Sequence, residues 1–341
     1  MAAVGMIATG TPVGLTTVVF GLGAVVSLGA SALLVTRIER VGERLGLSEA
    51  MLGLLAALAA NAPEITSATT ALVRGERTIG VGIILGSNVF NLAALLGLST
   101  MVAGRIRLHR RVVVFAGSVA LWFSVISLGT VAGMPTGLGL ALALAVFVPY
   151  VFVSAVSLVT LVRLPLPWRM IRWLHVAVAE EELELLEAIH PEPGDWRDAA
   201  VGGVALAVVV AASVAMERSA SSLGAHFGIS EIVVGGVVLA AVTSLPNAVA
   251  AVYLGTRGRG SAVLSEALNS NNLNVLLGLL LPATILGLGA AGASVYVAAG
   301  WYAGLTLVSL VLAFGARGLG RLQGAVVMAA YVAFVAVLAT T

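Results

Sequence analysis

The sequence predicts an all-α polytopic membrane protein with ten transmembrane helices, arranged as two inverted five-helix repeats. Three observations predict it: the composition, ten long apolar stretches, and identical residues repeated at one fixed offset. Of the 341 residues, 60% are hydrophobic and only 10% are charged, whereas soluble domains carry about 25% charged residues. So few charges cannot cover the surface of a soluble enzyme or a nucleic-acid-binding protein. The absence of Cys also excludes thiolate metal sites.

Ten apolar stretches are long enough to cross a hydrocarbon core about 30 Å thick. They divide the chain into a first five-helix repeat at 1–161, a linker at 162–198 and a second five-helix repeat at 199–341. The predicted spans are residues 12–36, 49–73, 78–103, 112–131, 136–161, 199–217, 230–254, 261–287, 293–315 and 322–340.

The distribution of basic residues predicts the orientation. All 18 basic residues are Arg, and fifteen of them lie in the loops that follow odd-numbered spans. Because cytoplasmic loops carry the excess of positive charge, we expect an integral protein of the plasma membrane with both termini outside the cytoplasm. The linker is then cytoplasmic. Its Trp168 and Trp173 fit an amphipathic helix that starts near Pro167, runs to about Ile189 and lies at the membrane interface in its first half.

Identical residues recur 183 positions apart in the two halves. Because each half contains five spans, an odd number, the second copy enters the membrane upside down. Inverted repeats with interrupted helices at matching positions indicate the site of a transporter. The matching pairs are Pro63 and Pro246, Arg74 and Arg257, Ser87 and Ser270, Asn88 and Asn271, and Asn91 and Asn274.

Polar side chains inside these spans are expected to be functional, because the membrane disfavours them. At 1.5 Å per residue, those in the two copies of the repeat lie about 20 Å into their spans, near the midplane. Pro63 and Pro246 remove a backbone donor and break their helices, which frees carbonyl oxygens, and hard cations bind such oxygens. The midplane residues are Glu64, Asn91, Asn247 and Asn274.

Residues 59–64 (AANAPE) and 86–91 (GSNVFN) resemble the first α-repeat of the calcium/cation antiporter superfamily. Residues 242–247 (VTSLPN) and 269–274 (NSNNLN) resemble the second. The resemblance implies a sodium/calcium-exchanger-like fold and a secondary transporter, not an enzyme, with no cofactor and a transported cation as substrate. It implies cation ligands at Glu64, Asn91, Asn247 and Asn274, supported by Asn61, Thr243 and Ser244.

The sequence departs from the family pattern at two informative positions. Asn247 stands where the family usually has an acid, which leaves Glu64 as the one carboxylate of the central site. Glu266 stands where the family commonly has Asn, about 12 Å along its helix from Asn274. It either lines the inner mouth of the cation path, as an outer member of the metal site, or pairs with Arg257 or Arg259.

Two transport functions therefore remain open. The family pattern favours exchange of Ca²⁺ against Na⁺ or H⁺. The single carboxylate favours antiport of a monovalent cation, Na⁺ or K⁺, against H⁺, since one negative charge compensates a divalent ion poorly. The expected partners are inorganic cations and the lipid bilayer, without nucleic acid, and the oligomeric state stays open.

Two other classes compete with a transporter. A membrane-embedded enzyme needs a base or a metal site within the membrane, but the four His residues lie in loops or at span ends. No phosphate-binding loop of an ATP-driven pump is present in the sequence. A passive channel stays open, and a requirement for a counter-ion would distinguish an antiporter from it.

Overall fold

The chain is nearly all helical in this computed structural model, which describes residues 12–156, 158–186, 192–315 and 317–341. The first half forms α1 (Val13–Arg44), α2 (Glu49–Ala60), α3 (Ala62–Val73), α4 (Arg77–Asn91), a π-helical stretch (Leu92–Leu98), α5 (Ser99–Ala103), strand β1 (Arg105–Arg107), α6 (Arg110–Val131), α7 (Thr136–Ala155) and α8 (Leu158–Leu161).

The linker contains α9 (Trp168–Leu186). The predicted linker helix extends to about Ile189, and residues 187–191 lie outside the described part of the chain. The second half forms α10 (Trp196–Phe227), α11 (Glu231–Val233), a π-helical stretch (Val234–Leu239), α12 (Ala240–Thr243), α13 (Leu245–Thr256), α14 (Gly260–Leu273), a π-helical stretch (Asn274–Leu280), α15 (Leu281–Leu286), α16 (Ala293–Gly315), strand β2 (Gly318–Gly320) and α17 (Arg321–Thr340).

Seven helices among the described residues are long and apolar enough to cross a membrane, and two bent helix pairs raise this number to nine. The remaining predicted span, residues 261–287, coincides with the continuous helical segment from α14 to α15. Asn residues crowd the middle of that segment, which makes it less apolar than the other nine. The helices α1 and α10 each extend beyond the predicted spans. The end of α1 and the start of α10 form ion pairs with each other, which hydropathy does not detect.

The two bent pairs confirm the helix breaks predicted at the prolines. The axes of α2 and α3 differ by 50° across Asn61, and those of α12 and α13 differ by 48° across Ser244. Each break lies two residues before its proline, Pro63 or Pro246, which then occupies the first turn of the next helix. Proline fits there because the first turn does not need its missing N–H.

Contacts bring the predicted Arg-bearing loops together at one end of the bundle. Strands β1 and β2 pair antiparallel, so the segment after α5 meets the segment after α16. This two-stranded sheet is the one departure from an all-α chain among the described residues. Arg111 Nη1 lies 2.8 Å from Glu180 Oε1 of α9, and His109 Nδ1 lies 3.5 Å from Ser261 Oγ of α14.

The linker joins the same end through α1. Arg37 Nη1 lies 2.6 Å from the carboxylate of Asp198 at the start of α10, and Arg40 Nη1 lies 3.4 Å from the same oxygen. The Gly194 amide donates to the Arg40 carbonyl at 2.7 Å. Five loops that carry Arg therefore share one end, as the sequence predicts.

The opposite end of the bundle holds a separate ion-pair cluster. Arg74, at the end of α3, places Nη1 3.3 Å from Glu217 of α10 and Nη2 2.8 Å from Glu76. The Glu217 side chain is fully buried. This pairing ties α3 to α10 where the two helices leave the apolar core.

Glycines allow the first half to contact the second half at the backbone. Gly82 and Gly86 lie one turn apart on α4 and face Gly235 and Gly236 of the π-helical stretch Val234–Leu239. A Cβ atom added to Gly86 would overlap the carbonyl oxygen of Gly236. Small residues spaced four apart are typical of closely packed membrane helices, and this contact positions the polar residues that follow Gly86.

We therefore expect Gly86→Ala to destabilise the fold by about 2 kcal/mol or more, because overpacking typically destabilises by roughly 1–3 kcal/mol and here the obstacle is backbone. The measurement is the unfolding temperature of the purified protein in detergent. Gly203→Ala in α10 is the matched control, since a Cβ there meets nothing within 4 Å. An equal unfolding temperature for both variants would contradict the tight contact.

Candidate functional site

Glu64 lies in the first turn of α3, directly after the helix break. Its side chain is fully buried, and Ser244 Oγ donates to its Oε1 atom at 2.9 Å. The second carboxylate oxygen, Oε2, has no hydrogen-bond partner among the described residues. The N-terminus of a helix stabilises a negative charge, so the break that Pro63 produces also supports the carboxylate next to it.

Asn247 lies at the equivalent position of α13, after the second break. Its Nδ2 atom donates to Asn61 Oδ1 at 2.9 Å, and Asn61 Nδ2 donates to the Ser270 carbonyl at 2.9 Å. The offset of 183 residues pairs Glu64 with Asn247 and Asn61 with Ser244. The contact between Ser244 and Glu64 is thus the counterpart of the contact between Asn247 and Asn61.

A second layer of amides joins α4 to α14 and the π-helical stretch that continues it, by reciprocal hydrogen bonds. Asn91 Nδ2 donates to Asn271 Oδ1 at 3.0 Å, and Asn274 Nδ2 donates to Asn88 Oδ1 at 3.2 Å. The side chains of Asn88 and Asn271 each donate to the other's backbone carbonyl, at 3.3 and 3.1 Å. The offset of 183 residues relates Asn91 to Asn274 and Asn88 to Asn271, so the two bonds of each pair are equivalent.

We call the buried polar residues Glu64, Asn91, Asn247 and Asn274, with Asn61 and Ser244, the central cluster. Four of its side-chain oxygen atoms lack a hydrogen-bond donor among the described residues. Within the described part of the chain, these buried oxygens accept no hydrogen bond, and a buried polar atom without a partner is unfavourable. Carboxylate and amide oxygens are the type of ligand that hard cations bind. The four atoms are Glu64 Oε2, Asn91 Oδ1, Asn247 Oδ1 and Asn274 Oδ1.

The supporting residues differ in how they contact this cluster. Ser244 and Asn61 contact Glu64 and Asn247 directly. Thr243 donates to the Leu239 carbonyl of its own helix at 2.9 Å, so only its oxygen lone pairs remain for a cation. The described residues contain no group of three or more His, Cys, Asp or Glu side chains that could hold a metal ion. Glu64 is the carboxylate of the predicted site, and the residues at the other predicted positions carry amides and hydroxyls.

Glu266 lies outside the central cluster. It lines a cavity of about 340 Å³ that reaches from Asn247 toward the end of the bundle that carries the Arg-bearing loops. No ion pair joins Glu266 to Arg257 or Arg259 in the described part of the chain, and the Arg257 guanidinium instead lies 4.8 Å from the ring centre of Tyr253. Glu39 of α1 lines the same cavity. Sequence reasoning missed Glu39, because it lies beyond the predicted end of the first span.

Comparison with known proteins identifies relatives of this chain. The family model of the sodium/calcium exchanger protein matches residues 15–159 and 199–340. The putative antiporter CaxA of Alkalimonas amylolytica is 24% identical over 301 residues, which cover 86% of this chain and 89% of that protein. The sodium/calcium exchanger MaX1 of Methanosarcina acetivorans is 31% identical over 132 residues, which cover 39% of this chain and 37% of that protein.

Two solved structures share the fold. The crystal structure of the H⁺/Ca²⁺ exchanger CAX has a TM-score of 0.69 at 14% identity, with 95% of this chain and 86% of that chain covered. The sodium-calcium exchanger NCX_Mj has a TM-score of 0.62 at 19% identity, with 95% of this chain and 99% of that chain covered. Identities this low show the likeness of the fold alone.

The free amide oxygens generate a prediction for Asn91 and Asn274. Replacing either residue by Ala removes one neutral oxygen ligand, and we expect the apparent cation affinity to fall about tenfold, which is about 1.4 kcal/mol. The measurement is the cation concentration that gives half of the maximal rise in unfolding temperature, since a bound ligand stabilises the folded state.

Ser213→Ala is the control for these variants. Ser213 is buried and its hydroxyl lies 2.9 Å from that of Ser27, between α1 and α10 and away from the amide cluster. We expect its cation dependence to equal that of the unaltered protein. Equal half-saturation values for all three variants would remove Asn91 and Asn274 from the site.

Proposed function

Because this chain belongs to the sodium/calcium exchanger family, whose members are secondary transporters and not enzymes, we propose that it is a secondary active cation antiporter with one ion site centred on Glu64. The protein is an integral membrane protein that transports inorganic cations. One observation carries the proposal: at the two breaks and in the paired amide layer, the buried Oε2 atom of Glu64 and three buried amide oxygens accept no hydrogen bond from the described residues.

The ten predicted helices then form two inverted repeats around this site. The segment from α14 to α15 is the tenth span, and the equivalent hydrogen bonds around Glu64 and Asn247 support the pseudo-symmetry. The clustered Arg-bearing loops form the cytoplasmic face of the plasma membrane by the positive-inside rule. Both termini lie on the other side, and the linker at 162–198 is cytoplasmic.

Transport proceeds by alternating access to this site. The cavity of about 340 Å³ connects Asn247 with the cytoplasmic face, lined there by Glu39 and Glu266. At the other face, Arg74 holds α3 to Glu217 of α10. The helix breaks at Asn61 and Ser244 are the places where one half can move against the other, because the backbone is already interrupted there.

Calcium is the first candidate for the transported cation, exchanged against Na⁺ or H⁺. The names of the relatives and structural neighbours support this, since CAX is an H⁺/Ca²⁺ exchanger and MaX1 is a sodium/calcium exchanger. The oxygen ligands of the cluster suit Ca²⁺, which binds six to eight oxygens. The amides, the carboxylate and bound water together supply such a shell.

A monovalent cation exchanged against H⁺ is the second candidate, and the single carboxylate favours it. Burial favours the neutral form of a carboxyl group, while a bound cation favours the ionised form. A proton and a monovalent cation therefore compete for Glu64, and each leaves the loaded site close to neutral as it crosses the membrane. A divalent ion with Glu64 alone would carry about one extra positive charge, which the bilayer core disfavours.

The proposal predicts that Glu64→Gln abolishes exchange in proteoliposomes, because Gln neither carries the charge nor releases a proton. The measurement is uptake of ⁴⁵Ca²⁺ and ²²Na⁺ against a counter-ion gradient. Glu43→Gln is the control: Glu43 lies in the last turn of α1, and it is not among the residues that line the cavity. Uptake by a folded Glu64→Gln protein at the normal rate would place the site elsewhere.

A second prediction concerns the missing acid. Asn247→Asp adds a second carboxylate at the position equivalent to Glu64, so we expect the affinity for Ca²⁺ to rise at least tenfold relative to Na⁺. Competition of unlabelled Na⁺ against ⁴⁵Ca²⁺ uptake measures the ratio, with Asn247→Ser as a neutral control. An unchanged ratio in a folded, active Asn247→Asp protein would show that the number of carboxylates does not set ion preference.

A further inference from the structure

The cavity between the central cluster and the Arg-bearing end contains acidic groups that the central site does not use. It is formed by α1, α2, α13 and α14, and small residues such as Ala32 and Gly53 line much of it. Glu39 projects from α1 and Glu266 from α14, and both are partly exposed to the cavity. The two carboxyl groups therefore face the same space.

No basic residue compensates these two carboxylates in the described part of the chain. The neighbouring arginines of α1, Arg37 and Arg40, instead form ion pairs with Asp198. Arg257 lies over the ring of Tyr253. Two negative charges that face one cavity without a cation repel each other. A bound cation would therefore stabilise the ionised forms of Glu39 and Glu266.

Ser265 supplies an independent indication of a ligand. Its side chain is 2% exposed, it lines the same cavity, and its Oγ atom has no hydrogen-bond partner among the described residues. The oxygen lies on the same helix as Glu266 and next to it in sequence. An unpartnered buried hydroxyl beside two uncompensated carboxylates matches the oxygen ligands of a hard cation.

We propose that Glu39, Glu266 and Ser265 form a second cation site, selective for divalent ions, between the cytoplasmic face and Glu64. Two carboxylates neutralise one divalent cation, which the single carboxylate of the central site does not. The cavity of about 340 Å³ also has room for several waters of the ion's hydration shell, since a water molecule occupies about 30 Å³ in the liquid. As a step on the transport path, this site rests on the proposed function of the central cluster.

The position of the site assigns it a role. Glu266 lies eight residues before Asn274 on α14 and its continuation, about 12 Å along the helix. One ion therefore does not bind both sites at once. The outer site collects divalent ions from the cytoplasm, and Asn247, which lines the inner end of the same cavity, receives them next.

Equilibrium binding of ⁴⁵Ca²⁺ to the purified full-length protein tests the second site without transport. The background is Glu64→Gln, which removes the charge of the central site. We expect this variant to bind one Ca²⁺ per chain, and we expect either Glu39→Gln or Glu266→Gln, added singly, to weaken that binding at least tenfold. Glu43→Gln is the matched control, one turn further along α1, and should leave the affinity unchanged.

The unfolding temperature of each variant shows which proteins are folded, and testing Glu39 and Glu266 singly keeps the proposal testable if one variant misfolds. Absence of Ca²⁺ binding in folded Glu64→Gln protein would overturn the second site, as would binding that neither added substitution weakens. A different result would contradict the proposed central site. In that case, the Glu64→Gln protein would still exchange cations in proteoliposomes.

Discussion

The buried carboxylate of Glu64 is the constraint on which the site depends. Its side chain is fully buried in a bundle of membrane helices, and within the described residues no basic side chain pairs with it. Such a charge needs hydrogen bonds, helix dipoles or a cation. The chain provides a hydroxyl from Ser244 and the N-terminus of α3, and the second carboxylate oxygen accepts no hydrogen bond from the described residues.

The same constraint explains why the two halves of the chain interlock. An isolated copy of the motif would bury amides that it cannot satisfy, and the other copy supplies their partners. Asn88 pairs with Asn271 through both backbones, and Asn61 pairs with Asn247. The contact of Gly86 with Gly236 brings these helices close enough for the bonds to form. Satisfying the amide nitrogens in this way leaves amide oxygens free at the centre.

The sequence predicts the parts of this arrangement that depend on local chemistry. Pro63 and Pro246 predict the helix breaks, and the offset of 183 residues predicts which amides correspond. Tertiary contacts determine the features that local chemistry does not predict, which are the lining of the cavity and the pairing of the two strands. Hydropathy places Glu39 beyond the first span, but α1 continues as a helix to Arg44, and only its packing shows that Glu39 and Glu266 line one cavity. The pairing of β1 with β2 also lacks a local signal, because strands of three residues have no recognisable alternation.

In the proposed antiport, a cation leaves Glu64 only when another ion replaces it. Release of ⁴⁵Ca²⁺ from loaded proteoliposomes measures this coupling, with ²²Na⁺ release followed in parallel. We expect slow release into choline buffer at pH 8, and fast release when external Na⁺, Ca²⁺ or a pH of about 6 supplies a counter-ion. Equally fast release into choline buffer at pH 8 would show that the protein is a passive pore and not an antiporter.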